Sequence, residues 1–309
     1  MTTSPVFIGG FRSGTTLLIN LLGMHPQVAA WFETKCLCEV LRWLRVCRQP
    51  ETADLESRHL VPASIPGFGL EAVSARIRWH MRFTEERIQG TQVSGKAAHE
   101  RYPLGPDHVR YTLAEAERHL ENWCLALNEE PDYQTLCQAS GKLIRALGDS
   151  HRRACARPFW INKSPEISRF APELRDCLGS CRIVYMVRNG IDVVASAHKL
   201  GWGGVESLAA NWKGLLEHTR TGMQAHAADY LEIRYETLLA QPQQVLDQVS
   251  DFAGLAHEGA AIVADYRRAF GVRAFDLSRS GGHRESLTPA ELDAFARIAG
   301  DMQRELGYW

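Results

Sequence analysis

Lysine is scarce in this chain of 309 residues. It occurs only at positions 35, 96, 142, 163, 199 and 213, and arginine supplies the rest of the 35 basic residues. A lysine at a chemically placed position therefore carries weight, because a compact ammonium acts differently from a guanidinium fork. Net charge is nearly absent as well, with 36 acidic residues against 35 basic ones. That balance removes any bulk electrostatic reason to expect nucleic acid or an anionic membrane as partner. An anion site has to be local. No uncharged apolar run reaches the roughly 18 residues that a bilayer-spanning helix needs. Met1–Pro5 lacks basic residues and the apolar stretch Val6–Phe11 is too short for a signal peptide, so the expected location is cytoplasmic. The eight cysteines, at 36, 38, 47, 124, 137, 155, 177 and 181, show neither disulfide-framework nor zinc-ligand spacing. Reduced, mostly buried thiols and no metal site are expected. Repeats and low-complexity segments are missing too. What is present is an average globular composition, 45% hydrophobic and 23% charged, in a chain long enough to bury a sizeable core.

Short apolar runs alternate with helical periodicity. Val6–Gly10, Val28–Phe32, Phe159–Asn162, Arg182–Arg188 and Tyr230–Tyr235 read as strands. Thr15–Gly23 reads as a helix, and Ser164-Pro165-Glu166 as a helix start. Further helices are expected from 189 to about Leu200, from Glu206 to about Ala227, and from Tyr235 to about Phe252. Capping boxes are expected at Thr112–Glu115 and Thr288–Glu291, the latter opening a last helix. The pattern predicts an α/β chain with a mostly parallel central sheet flanked by helices. Residues 41–150, almost wholly helical in pattern, read as an insertion over one sheet edge within a single domain spanning 1–309.

The segment Gly9-Gly10-Phe11-Arg12-Ser13-Gly14-Thr15-Thr16 joins the first strand to the first helix. Such a loop lets backbone N–H groups and a helix N-terminus converge on an anion. It fits the frame of a nucleotide P-loop except that Thr15 stands where Lys would hold β/γ-phosphates. The strand 182–188 ends in Arg188 where a P-loop enzyme would carry a metal-binding acid. Both features point to a donor without β/γ-phosphates.

Four pieces of sequence, in this order, resemble the sulfotransferase family, whose members use 3′-phosphoadenosine 5′-phosphosulfate (PAPS). They are G-x-x-R-S-G-T-T-L-L from Gly9, Lys163-Ser164-Pro165, Val187-Arg188-Asn189-Gly190 with Ser196, and the stretch from Arg284 to Glu291 with Glu305-Leu306-Gly307-Tyr308. The resemblance covers about 1–40 and 155–309, and implies a P-loop-like three-layer fold. It is of bacterial type, and Arg12 with Glu33-Thr34 is similar to the tyrosylprotein members.

The resemblance implies that Gly10, Arg12, Ser13, Gly14, Thr15 and Thr16 wrap the 5′-phosphosulfate. It makes Lys163 a second cation on the transferring group, where fixed positive charge stabilises the leaving oxygen. Arg188 and Ser196 are expected on the 3′-phosphate, Tyr235 on the adenine side or in the core, and Arg284 in a loop over the 3′-phosphate. Glu33 is the expected general base, with a histidine of the insertion (His80, His99, His108 or His119 among them) as the alternative. Trp79, Phe83, Tyr111 and Trp123 mark the insertion as the expected acceptor lid. The acceptor is expected to be a hydroxyl-bearing small molecule, lipid or natural product. A homodimer stays open. A P-loop kinase or NTPase, or a non-catalytic nucleotide-binding protein of the same fold, are the competing readings.

Overall fold

The strands β1 (Val6–Gly9), β2 (Val28–Phe32), β3 (Phe159–Lys163) and β4 (Arg182–Val187) are buried over nearly every residue. Burial on both faces is the mark of parallel strands, because crossover connections lay helices on each side of the sheet. In the computed structural model, residues 4–88, 111–271, 274–276 and 286–309 are described, with the backbone alone for 84–88. The four strands and β5 (Tyr230–Arg234) form one sheet in the order β2-β3-β1-β4-β5, and every neighbouring pair is parallel. The chain is thus an α/β protein of three layers, as the alternation of strand and helix patterns implies.

Alternate residues of the strands supply the two faces. Phe7, Ala29, Trp31 and Ile183 pack against Leu37 and Leu41 of the helix Lys35–Arg48, Leu143 and Leu147 of Tyr133–Ala154, and Leu174 of Ala171–Leu178. Val6, Ile8, Ala30, Phe32 and Val184 meet Leu18 and Leu22 of the helix Thr15–Gly23, with Val245 and Ile262 from the helices Pro242–Ala253 and Gly259–Phe270. A third cluster, around Val193, Trp212 and Phe295, binds the helices Gly190–His198, Val205–Met223 and Pro289–Glu305 beside β4.

The helical block after β2 lies over β2 and β3. It comprises Lys35–Arg48, Ala53–Ser57, Leu70–Ile88, Leu113–Leu125 and Tyr133–Ala154 among the described residues. His151 Nε2 sits 2.9 Å from the Ala30 carbonyl of β2, and the block's apolar core runs into that of the sheet. No described helix is long and apolar enough to cross a membrane.

Local departures from the sequence reading have identifiable causes. Ser164-Pro165-Glu166 does not open a helix. Ser164 N donates to Ile8 O, and Pro165 O accepts from Gly10 N at 3.0 Å, so its backbone is committed to the β1 loop. A 3-10 turn, Ile167–Phe170, intervenes, and the helix starts at Ala171 with Pro172 in its first turn. β5 stops at Arg234, and Tyr235 begins the helix Tyr235–Ala240. The long helix ends at Met223 rather than Ala227, where non-helical backbone at His226 breaks the run that follows. Thr288 and Glu291 form the full capping box. At Thr112 only half of it forms, since the Glu115 carboxylate accepts from Ser150 at 2.6 Å instead.

Candidate active site

In an open parallel sheet the ligand-facing edge lies at the carboxyl ends of the strands. Here each strand delivers one candidate residue to that edge. Arg12 follows β1, Glu33 follows β2, Lys163 ends β3, Arg188 follows β4 and Tyr235 follows β5.

The loop after β1 takes its shape from two glycines. Gly10 has φ +123°, and a Cβ there would strike the Met186 carbonyl. Gly14, at φ +85°, caps the helix Thr15–Gly23, and a Cβ there would enter the Tyr235 ring. Glycine alone meets both the left-handed backbone and the close approach. Ser13 is buried and donates to Phe11 O at 2.9 Å, so its hydroxyl ties the loop together. Arg12 adopts φ +51° and Glu33 φ +44°, a region costly for side-chain-bearing residues and concentrated at functional sites.

Glu33 and Lys163 form the centre of the site. Phe32 and Lys163 are register partners across β2 and β3, and Glu33 N donates to Lys163 O at 2.6 Å. Lys163 Nζ then lies 2.8 Å from Glu33 Oε1 and 4.1 Å from the Phe32 ring centroid. The ammonium is 1% exposed while the carboxylate keeps 27% of its surface open. The paired carboxylate and the aromatic face both offset the cost of placing an ammonium this deep.

Arg12 reaches Ser196 Oγ with Nε at 3.3 Å and Nη2 at 3.1 Å, and its guanidinium lies 5.2 Å from the Trp202 ring centroid. Arg188 pairs with Asp192 at 3.5 Å, donates to Arg12 O at 3.4 Å and stacks 4.6 Å from the centroid of Tyr235. Arg188 and Ser196 are thus linked through Arg12. Asn189 caps the helix Gly190–His198, its side chain accepting from Ile191 N, which brings Ser196 to the loop side. Arg284 lies outside the described residues.

These groups surround a cavity of about 1030 Å³. Arg12, Gly14, Thr15, Thr16, Glu33, Lys163, Arg188 and Tyr235 line it, whereas Gly10, Ser13 and Ser196 are not among its lining residues. Five cations (Arg12, Lys35, Lys163, Arg169 and Arg188) face it against two carboxylates, Glu33 and Glu166. A chain of net charge −1 therefore holds a locally positive pocket.

Part of the cavity wall was not legible in the sequence. Trp202 and the helix face Leu208–Asn211–Leu215 line it, with Tyr266 and Phe270 near Tyr235. Among the described residues, the insertion's aromatics Trp79, Phe83, Tyr111 and Trp123 do not line it. Trp123 is buried against Trp43 and donates to Ser140, Tyr111 packs edge-on to Trp31, and Trp79 stacks on Phe83. They serve packing, as aromatics at helical spacing commonly do. Among the described residues, 41–150 contributes only His59 to the lining. His80 instead faces Glu39 at 3.8 Å and His119 bonds Ser150, while His99 and His108 lie outside the described residues.

Behind this wall sits a buried charge cluster. Glu56, wholly enclosed, accepts from Arg42 and Arg169 at 2.5 Å each and faces Arg45 at 3.5 Å. Glu173 takes Arg45 and Arg48, and Glu39 takes Arg76. Partial enclosure of the His59 ring, then the charges of Arg169 and Arg42, push its pKa below the ordinary value. His59 is thereby biased toward the neutral form.

A model of the Sulfotransferase family matches residues 5–259. Among solved structures, the sulfotransferase domain of the Synechococcus PCC 7002 olefin synthase is similar at TM-score 0.53 and 16% identity, over 97% of this chain and 95% of that one. Sulfotransferase STF9 from Mycobacterium avium gives 0.51 and 13%, over 99% and 77% of the two chains. The sulfotransferase domain from the curacin biosynthetic pathway gives 0.51 and 17%, over 97% of each. At such identities the likeness is one of fold. No curated protein matches significantly. The family match extends from the phosphate-type loop through every strand of the sheet, and on that basis the chain belongs to the sulfotransferase family.

Proposed function

We propose that this protein transfers a sulfuryl group from PAPS to the hydroxyl of a small molecule. The observation that carries the reading is the Glu33–Lys163 pair, a carboxylate fixed at 2.8 Å by a buried ammonium beside the β1 loop, in a cavity rich in cations. PAPS, when bound, supplies a sulfuryl group on a phosphate leaving group. The lining suits such a polyanion, with a helix N-terminus at Thr15 and Thr16 and guanidiniums at Arg12 and Arg188. Arg188, Ser196 and Arg284 are assigned to the 3′-phosphate and Tyr235 to the adenine side.

Each residue then has a chemical task. Glu33 takes the hydroxyl proton as the acceptor oxygen bonds to sulfur, while the bond from sulfur to the phosphate oxygen breaks in line. Arg12 and Lys163 stabilise the negative charge left on that oxygen. Lys163 also fixes the direction of the carboxylate before the acceptor arrives, so less ordering is left to the reaction itself.

Thermal unfolding in the presence of nucleotides tests this without a known acceptor. A ligand at about 100 times its dissociation constant adds roughly 2.7 kcal/mol, a shift of a few degrees. Metal-independent stabilisation by 3′-phosphoadenosine 5′-phosphate (PAP), and not by adenosine 5′-phosphate, is expected. Stabilisation by Mg·ATP alone would replace the reading with phosphoryl transfer.

A further inference from the structure

Gln303 is wholly buried in the helix Pro289–Glu305, where an amide has to find its partners within the protein. Its Nε2 donates to Asn189 Oδ1 at 2.8 Å, and its Oε1 accepts from Gly190 N at 2.9 Å. Those two partners directly follow Arg188 at the end of β4. Tyr308 approaches the same turn by another route. Its hydroxyl donates to Glu236 Oε2 at 2.7 Å, and Glu236 Oε1 accepts from Asn189 N at 3.1 Å. The Arg234 guanidinium lies 5.1 Å from the Tyr308 ring centroid and donates to Leu306 O at 2.6 Å, which fixes the ring. Phe295, on the same helix as Gln303, packs so closely on Gly190 that a Cβ there would lie 2.8 Å from its ring. None of Gln303, Tyr308 and Glu236 lines the cavity.

These bonds take up the first three N–H groups after Arg188. Asn189 N goes to Glu236, Gly190 N to Gln303 and Ile191 N to the Asn189 side chain. A helix N-terminus ordinarily offers such groups to an anion. Here they are committed, so an anion at this edge relies on side chains. Arg188 precedes the pinned turn, and Asp192, 3.5 Å from Arg188, and Ser196 ride on the helix whose first residues Gln303 grips. Covering β4 would need only the apolar residues of the last helix, Phe295, Ala299 and Met302. Gln303 and Tyr308 add directed bonds, which fix geometry rather than bury area. We propose that Gln303 and Tyr308 are positioning residues for the nucleotide: through Asn189, Gly190 and Glu236 they hold Arg188, Asp192 and Ser196 in the arrangement that recognises a 3′-phosphate. An arrangement set before the ligand arrives leaves less ordering to binding, so loosening it weakens the hold on that phosphate alone. The inference rests on the sulfotransferase reading above.

Calorimetry with PAP and with adenosine 5′-phosphate tests it on wild type, Gln303→Leu, Tyr308→Phe and Leu216→Ala. Leu216 is fully buried in the same apolar cluster as Phe295, so L216A loosens packing without removing a bond to Asn189, Gly190 or Glu236. Q303L should weaken PAP binding about tenfold and Y308F about threefold, with adenosine 5′-phosphate changed by less than about twofold in each. L216A should lose thermal stability yet keep the wild-type ratio of the two affinities. The positioning role is overturned if Q303L and Y308F keep that ratio, or if L216A shifts it as far as Q303L does. Should Q303L not fold, Y308F decides alone, since it loses a single hydroxyl at a half-buried position. If PAP fails to bind wild type, the functional reading itself falls and this inference falls with it.

Discussion

Replacing either partner of the Glu33–Lys163 pair should destabilise the protein unequally. Glu33→Gln leaves the ammonium of Lys163, 1% exposed, without its counter-charge, whereas Lys163→Met leaves a carboxylate that water already reaches over 27% of its surface. Stranding one member of a fully buried pair costs about 3–5 kcal/mol. The Gln amide oxygen can still accept from Nζ, and the Phe32 ring at 4.1 Å offers partial compensation. We therefore expect about 2 kcal/mol for E33Q and about 1 kcal/mol or less for K163M, whose thioether fills the same buried channel. In a chain of this size that corresponds to a fall in Tm of roughly 3 °C for E33Q, and about half of that or less for K163M. The double variant should lose less than the sum of the two, because neither charge is stranded. Turnover should separate differently. E33Q should lose on the order of 10²–10⁴ in kcat with PAP affinity nearly unchanged, as for removal of a general base. The assays are thermal unfolding and release of PAP with a responsive acceptor. Equal destabilisation by the two single variants would refute the burial argument. Full activity in E33Q would refute Glu33 as base and move the role to His59, the described histidine of the insertion on the cavity wall.

Arg188→Ala should weaken PAP binding by about 10–150-fold, the worth of charge-assisted hydrogen bonds, and leave adenosine 5′-phosphate nearly unaffected; equal calorimetric losses would remove the 3′-phosphate assignment. Gly14→Ala places a Cβ at φ +85° and against the Tyr235 ring, so PAP affinity should fall at least about tenfold and the unfolding midpoint by a few degrees. Unchanged PAP titrations of that variant would show that the loop can reshape. Glu56→Gln removes the enclosed carboxylate that Arg42 and Arg169 share, although Arg45 keeps Glu173 and Arg42 keeps Glu166, and should cost about 3 kcal/mol in denaturant unfolding; a loss under about 1 kcal/mol would mean the cluster relaxes. Stability should also fall on mild acidification. His218 Nε2 sits 3.2 Å from Arg45 Nη2, and partial enclosure followed by the Arg45 charge lowers its pKa below the ordinary value. Between that lowered value and about 6.5 the unfolded chain binds more protons, so stability rises with pH across this window and is lost as pH drops through it. His218→Gln should flatten the slope of Tm just below about pH 6.5, and an unchanged slope would place the titration elsewhere.

Strand positions were legible because each strand is short and rich in β-branched or aromatic residues, and β1–β4 are buried over nearly every residue, so the apolar runs have clear ends. The β1 loop was legible for a related reason, since glycines at 10 and 14 answer local backbone demands that leave a mark in sequence. Glu33 and Lys163 were legible as separate strand-end residues. That they touch follows from the β2–β3 register, a pairing across more than a hundred residues that no local pattern records. Ser196 shows the limit of helical-face reasoning. It was assigned with Arg188 to the 3′-phosphate, but Arg12, distant in sequence, donates to its hydroxyl in this structure. Pro165 looked like a helix starter because a proline after a serine suits a first turn. Only the Gly10–Pro165 hydrogen bond reveals the competing use of that backbone. Trp202, Leu208 and Leu215 gave no signal at all, since a tryptophan between glycines and leucines at helical spacing read equally well as turn and core.

The strand order also governs how the chain is made. Among the described strands β1 pairs with β3 and β4, and β2 with β3, so β1 and β2, both made before β3, have no partner in each other. At synthesis rates of about 5–20 residues per second, the roughly 125 residues between β2 and β3 keep both strands waiting for about 6–25 s. During that interval the helical block is the part of the nascent chain able to cover Trp31 and Phe7, since its leucines pack on them in the finished protein. A segment that adds only His59 to the described cavity wall would then act as an internal chaperone for the strands that precede it. Shortening it should lower the yield of folded protein made at 37 °C before it alters any property of the molecules that do fold.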